Sequence, residues 1–155
     1  MAKIDGRAGS ARLRDAGQIH EIIVFWSSKQ KILHRAREEI ESRIKDFVVF
    51  KDGKSVLGVI SLFVYDKEFA ELRSLSVRDG FGRNGIGKRL VAAAVEKAES
   101  IGIKKLFVLT SIPEFFSRFG FTPDKKVNDK KIWKDCANCP KRGKCDETYM
   151  ELDLD

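Results

Sequence analysis

The sequence predicts one domain of mixed α/β (α+β) class, a central mixed sheet flanked by helices. Three observations carry that expectation. Apolar residues recur at helical spacing early in the chain. Three β-rich runs then follow in close succession, and a glycine-rich stretch joins the last of them to a second amphipathic segment. Helices, antiparallel strands, a β-loop-α-β unit and a closing helix and strand together describe a layered α/β structure. At 155 residues the chain is long enough to bury a real core as a single domain, 1–155.

Each element has its own signal. Ala11 to Arg14 reads as a short strand and Asp15 as a helix start. In GQIHEIIVFWSSKQKI, Ile19, Ile22, Ile23 and Trp26 share one helical face. LHRAREEIESRI reads as a second helix with Leu33, Ala36, Ile40 and Ile44 on one side. DFVVFKDGKSVLGVISLFVY is a hairpin, two β-rich runs around Asp52-Gly53. FAELRSLSV, 69–77, is the next strand, and strict alternation places Leu72, Ser74 and Ser76 opposite Arg73, Leu75 and Val77. Ile86, Leu90, Ala94, Ala98 and Ile101 mark a helix ending at Gly102. KKLFVLTS is a buried strand, PEFFSRF a short helix ending at Gly120, and a last strand lies near Tyr149 to Leu154.

Composition narrows the partners. Hydrophobic content of 43% with 34% charged residues is ordinary for a soluble globular protein. No apolar run approaches the ~20 residues of a membrane span, and MAKIDGRAGSARLRD lacks the apolar centre of a secretory signal. A cytoplasmic protein with no membrane partner is expected. A net charge of +7 favours anions, whether nucleic acid, a coenzyme or a dicarboxylic acid.

VRDGFGRNGIGKRL, 77–90, carries the chemistry. A glycine-rich turn between strand and helix lets backbone N–H groups approach a phosphate at the positive end of the helix dipole. Gly80-Phe81-Gly82-Arg83-Asn84-Gly85 matches the dinucleotide pattern G-x-G-x-x-G, whereas Gly82-x-x-Gly85-x-Gly87 matches a pyrophosphate loop of acetyl-CoA enzymes. The dinucleotide reading wants the loop after the first strand and an acidic residue about 20 positions later. Here nearly half the chain precedes the loop, and the following strand ends in Thr110-Ser111. Context favours acetyl-CoA.

AELRSLSV, GFGRNGIGKRLV, IKKLFVLTS and FFSRFGF together resemble the GNAT superfamily of N-acetyltransferases, in order and spacing across nearly the whole chain. HRAREEIESRIKDFVVF, KLFVLT and FGFTPDKK are most similar to the acetyltransferase domain and short forms of N-acetylglutamate synthase. The resemblance implies a GNAT-like sheet and direct attack of an amine on the acetyl-CoA thioester. It implies that Gly82, Arg83, Asn84, Gly85, Ile86, Gly87 and Lys88 hold the pyrophosphate, while Leu75, Ser76 and Val77 polarise the thioester and pair with the pantetheine arm. Glu71 takes the position of an acidic or water-positioning group able to accept the amine proton. A dicarboxylic acceptor such as L-glutamate, entering arginine biosynthesis, would need cationic clamps, and Arg35, Arg73 and Lys131 are the candidates. Two positions depart from the family. Gly82 stands where Gln or Arg is usual, and Phe116 stands where a Tyr often protonates the leaving thiolate.

Cys136, Cys139 and Cys145 fall in a cysteine-bearing segment at about 128–148. Three thiolates are one short of a structural zinc site, which Asp135, Asp146, Glu147 or a symmetry mate could complete; an iron–sulfur cluster with one non-cysteine ligand, a reversible disulfide and plain reduced thiols are the alternatives. His20 and His34 read as helix-face residues. Other amino acids, polyamines or protein amines are alternative acceptors. A non-catalytic acetyl-CoA sensor is a further reading, and nucleic-acid binding ranks last because it leaves the loop unexplained. Family members are often homodimers, which sets the expectation here.

Overall fold

The computed structural model describes residues 5–123 and 147–154. Its strands are β1 (Arg7–Ser10), β2 (Phe47–Asp52), β3 (Ser55–Val64), β4 (Phe69–Val77), β5 (Lys105–Thr110), β6 (Thr122–Pro123) and β7 (Thr148–Asp153). Its α-helices are α1 (Ala16–Ser28), α2 (Arg37–Ser42), α3 (Ile86–Ser100) and α4 (Pro113–Ser117). One sheet runs β1-β2-β3-β4-β5-β7-β6. Its neighbours are antiparallel except β4 and β5, which α3 joins as a parallel crossover.

Each face of the sheet buries a different helix. Ile86, Leu90, Val91, Ala94 and Ala98 form the apolar stripe of α3 and pack on Val48, Ile60, Leu62, Leu72, Leu106 and Val108. Burying one such aliphatic side chain is worth ~1.5–3 kcal/mol. Gly58 sets how close α3 can come. A β-carbon there would lie 2.8 Å from Ile86 Cγ2 and 2.9 Å from Leu90 Cδ1, so the first turns of α3 rest on bare backbone. On the opposite face Ile19, Ile22 and Ile23 of α1 meet Phe47, Val49, Val56 and Val59. Gln18 fixes the docking of α1, accepting from Val56 N–H (2.9 Å) and donating to the Lys54 carbonyl (3.0 Å).

The hairpin forms as the sequence predicts: Asp52 pairs with Ser55 around Gly53, which takes φ +60°. Gly102 and Gly120 also take positive φ, ending α3 and the α4 segment. Four details differ from the sequence reading. The first strand is Arg7–Ser10, not Ala11–Arg14; residues 13–15 form a 3₁₀ turn whose Asp15 accepts from the Arg12 N–H (2.8 Å). The second helix covers only Arg37–Ser42, because Ala36 is extended and Ile40 alone anchors it. Ile101 lies beyond the end of α3 and is exposed.

The fourth difference shapes the site. Val59 pairs with Ser76 and Ser61 with Arg73, so Ser74 and Leu75 together oppose Ile60 in a β-bulge, with Ser74 at φ +58°. The extra residue reverses the alternation. Leu75 and Val77 therefore turn to the α3 side with Leu72, where alternation had placed them opposite it. Glu71 and Arg73, ahead of the bulge, stay on the α1 side with Phe63 and Ser61, their partners across β3.

Candidate active site

Pairing between β4 and β5 ends at Leu72 and Val108, yet β4 continues to Val77 and β5 to Thr110. Parallel strands that separate while each keeps its other neighbour leave facing backbone edges without a shared ladder. The opening is a cleft of about 1000 Å³, bounded by 71–77 of β4, 108–112, the glycine loop and Phe115 and Phe119. Its backbone edge can take an extended, amide-bearing chain by adding to the sheet. Trp26 braces the β4 wall: its indole N–H donates to the Val77 carbonyl at 2.7 Å.

The glycine loop closes one end. Gly80 (φ +90°), Arg83 (φ +64°) and Gly85 (φ +76°) all take left-handed backbone conformations, which curl the loop around the start of α3. Gly85 is the N-cap and contributes no side-chain cap. The first internal bond of α3 runs from Arg89 N–H to the Gly85 carbonyl (3.1 Å), so the N–H groups of Ile86, Gly87 and Lys88 precede the helical ladder. Gly85, Ile86, Gly87 and Lys88 line the cleft, so this helix start and its dipole meet the ligand space. A β-carbon on Gly82 would meet no protein atom within 4 Å. Asn84 has an internal job: its amide donates to the carbonyls of Phe81 (2.9 Å) and Gly82 (3.1 Å) and holds the loop's curl.

Charged groups gather where β4 and β5 part. Glu71 and Arg73 line the cleft, with Arg73 Nε 2.7 Å from Glu71 Oε1. Tyr65, just after β3, completes a ring of bonds. Its hydroxyl donates to Glu71 Oε1 (2.9 Å) and accepts from Arg73 Nη2 (2.7 Å). Burial, reinforced by the Glu71 carboxylate, pushes the Tyr65 phenol well above its usual range. Arg73 also sits over the Phe63 ring, with its guanidinium carbon 3.8 Å from the ring centre. Arg35 lines the same cleft with its side chain only 13% exposed, and pairs with Glu39 at 3.6 Å. A side cavity of about 510 Å³ borders Arg35, Arg73 and Tyr65 from the α2 side.

Glu71, Arg35, Arg73, Leu75, Ser76, Val77, Gly82, Arg83, Gly85, Ile86, Gly87 and Lys88 thus meet around one cleft, with Asn84 bracing its loop. Lys131, Cys136, Cys139 and Cys145 lie outside the described residues. Among the described residues no group of three His, Cys, Asp or Glu could hold a metal ion. Phe116 is buried against Phe121 beside the cleft. Sequence reasoning missed Tyr65 and Trp26. The signal for Tyr65 was the tight 65–68 turn, which sets Phe63 opposite Glu71 and brings the next outward residue of β3 alongside.

Comparison with known proteins agrees with this geometry. The acetyltransferase (GNAT) family model matches residues 14–121. A Chlorobaculum tepidum protein described as an uncharacterized N-acetyltransferase is 39% identical over 97% of both chains. An amino-acid acetyltransferase of Aeromonas salmonicida is 29% identical over 76% of this chain, which spans 27% of that relative. Among solved structures, N-acetylglutamate synthase from Neisseria gonorrhoeae, complexed with coenzyme A and N-acetyl-glutamate, superposes with TM-score 0.85 at 24% identity. That match covers 99% of this chain and 36% of the synthase, and it speaks to the fold. Among the described residues no helix is long and apolar enough to cross a membrane. A cleft between parted parallel strands, ended by a glycine loop and an uncapped helix start, coincides with the family match over most of the chain; the protein belongs to the acetyltransferase (GNAT) family and is an acetyl-CoA-dependent N-acetyltransferase.

Proposed function

We propose that the chain transfers the acetyl group of acetyl-CoA to the α-amine of a small acidic amino acid, with L-glutamate as the acceptor. The observation that carries this reading is that two guanidinium groups, Arg35 and Arg73, line one cleft together with the carboxylate Glu71, which pairs with Arg73. Planar guanidiniums suit carboxylates, and a zwitterionic acceptor with two of them needs more than one cation. The similarity to amino-acid acetyltransferases and the N-acetyl-glutamate held by the Neisseria synthase support the same acceptor. Lys131 would be a third cation from outside the described residues.

In this reading the pyrophosphate sits on the N–H groups of Ile86, Gly87 and Lys88, with Arg83 and Lys88 adding charge. The pantetheine arm lies along the β4 edge, Leu75 to Val77. The backbone there meets the thioester oxygen as negative charge develops on it. Glu71 accepts a proton from the acceptor ammonium, directly or through water, so that the neutral amine attacks the carbonyl carbon and the C–S bond then breaks. The nitrogen gives up its second proton to water as the amide forms, and the thiolate takes a proton from that water, since the position of a tyrosine acid holds Phe116. Thiol release from acetyl-CoA, measured with each of the twenty amino acids, tests the acceptor. Turnover with glutamate well above the rest is expected; turnover confined to a basic or neutral amino acid would overturn it.

A further inference from the structure

We infer that Tyr65 is a positioning residue which keeps the Glu71–Arg73 pair single-pronged, so that Arg73 does not close both arms of its fork on the carboxylate. The inference rests on the proposal that Glu71 accepts the amine proton. Its geometric basis is the ring of three bonds. Nε and Nη2 form one edge of a guanidinium, the edge that grips both oxygens of a carboxylate in a bidentate pair. In this protein Nε reaches Glu71 Oε1 at 2.7 Å, but Nη2 goes to the Tyr65 hydroxyl at 2.7 Å. The hydroxyl in turn donates to the same Oε1 at 2.9 Å. Tyr65 therefore stands as a wedge in the fork, between Nη2 and the carboxylate.

The wedge is held firmly. The Tyr65 ring stacks on Phe107 at 5.7 Å and packs against Phe63 (5.0 Å) and Phe69 (5.8 Å). Phe107 is fully buried, stacks on Phe69 at 4.8 Å and continues the row to Tyr149 at 5.3 Å. An aromatic row across β4, β5 and β7 thus fixes where the hydroxyl sits. Burial keeps the phenol protonated, so it remains a donor to Glu71. Tyr65 borders the side cavity and Glu71 the cleft, while Arg73 borders both. The hydroxyl acts on the carboxylate from behind, without entering the ligand space.

Tyr65→Phe removes the wedge and keeps the ring. The test is a crystal structure of the full-length variant together with its steady-state kinetics, using whichever acceptor the wild type turns over. Expected are Arg73 Nη2 within hydrogen-bond distance of Glu71 Oε2, a kcat about 10-fold to 100-fold lower as part of the general-base contribution is lost, and an unchanged KM for acetyl-CoA. A fork that stays single-pronged in the variant, or one that closes with kcat unchanged, would overturn the inference. A fall in kcat with an equal rise in the acetyl-CoA KM would point to collapsed packing and overturn it as well. If glutamate proves the wrong acceptor, the fork geometry still reads out independently.

Discussion

Gly82 and Gly85 stand three residues apart in one loop, and the structure gives only Gly85 a reason to be glycine. Gly85 takes φ +76° at the N-cap of α3, while a β-carbon on it would meet no atom within 4 Å. Its constraint is conformational. Alanine there costs about 1–2 kcal/mol, a fall in Tm of about 2–8 °C for a domain this size. Gly82 has no left-handed backbone and the same open surroundings. Alanine at 82 leaves Tm within about 1 °C, since substitutions that strain nothing stay within about 0.5 kcal/mol. The resemblance that places Gln or Arg at this position implies that a side chain there is compatible with the pyrophosphate. The acetyl-CoA Kd of Gly82→Ala therefore stays within about 2-fold of the wild type, the equivalent of ~0.5 kcal/mol. Thermal melts of the free proteins and acetyl-CoA titrations by calorimetry separate the two. A large loss of acetyl-CoA affinity in Gly82→Ala would refute the tolerance of position 82, and an unchanged Tm in Gly85→Ala would refute the conformational argument.

Three further outcomes follow from the same structure. Glu71→Gln keeps the shape of the side chain and removes the base, so kcat falls about 10²-fold to 10⁴-fold while acetyl-CoA still binds, as stopped-assay thiol release and calorimetry can show. Trp26→Phe deletes the indole bond to the Val77 carbonyl and lowers stability by about 0.5–1.5 kcal/mol in urea unfolding. Lys97, half-buried on α3, has its amine pKa pushed below the ordinary 10.5 by desolvation, against a smaller upward pull from Asp46. Below the lowered folded value the buried charge opposes folding, and that penalty fades as pH rises towards 10.5, because the unfolded chain then binds more protons than the folded one. Lys97→Met should therefore raise Tm at pH 7 by more than at pH values near the unperturbed lysine range; the opposite trend would contradict the sign.

What the sequence disclosed divides along the range of the interactions involved. The β2–β3 hairpin, α3 and β5 were legible because turn chemistry at Gly53, the stripe from Ile86 to Ala98 and a compact apolar run act locally. The glycine loop was legible because only glycine takes such backbone cheaply. The bulge at Ser74–Leu75 was not, since an alternating pattern continues through it and only the register against Ile60 reveals the extra residue. The second helix was overestimated for a similar reason. Its predicted first turn instead runs extended, with Leu33 and Arg35 lining the cleft, and that tertiary demand outweighs local propensity. Arg73 was expected on one face with Glu71, and it is; that Tyr65 would divide their contact needed the geometry of the 65–68 turn.

A crystal structure of the protein with coenzyme A and N-acetyl-glutamate bears most directly on the central claim. Pyrophosphate oxygens are expected on the N–H groups of Ile86, Gly87 and Lys88, with the product's carboxylates held by Arg35 and Arg73 beside Glu71. A nucleotide bound away from the start of α3, or a product whose carboxylates avoid both arginines, would contradict it.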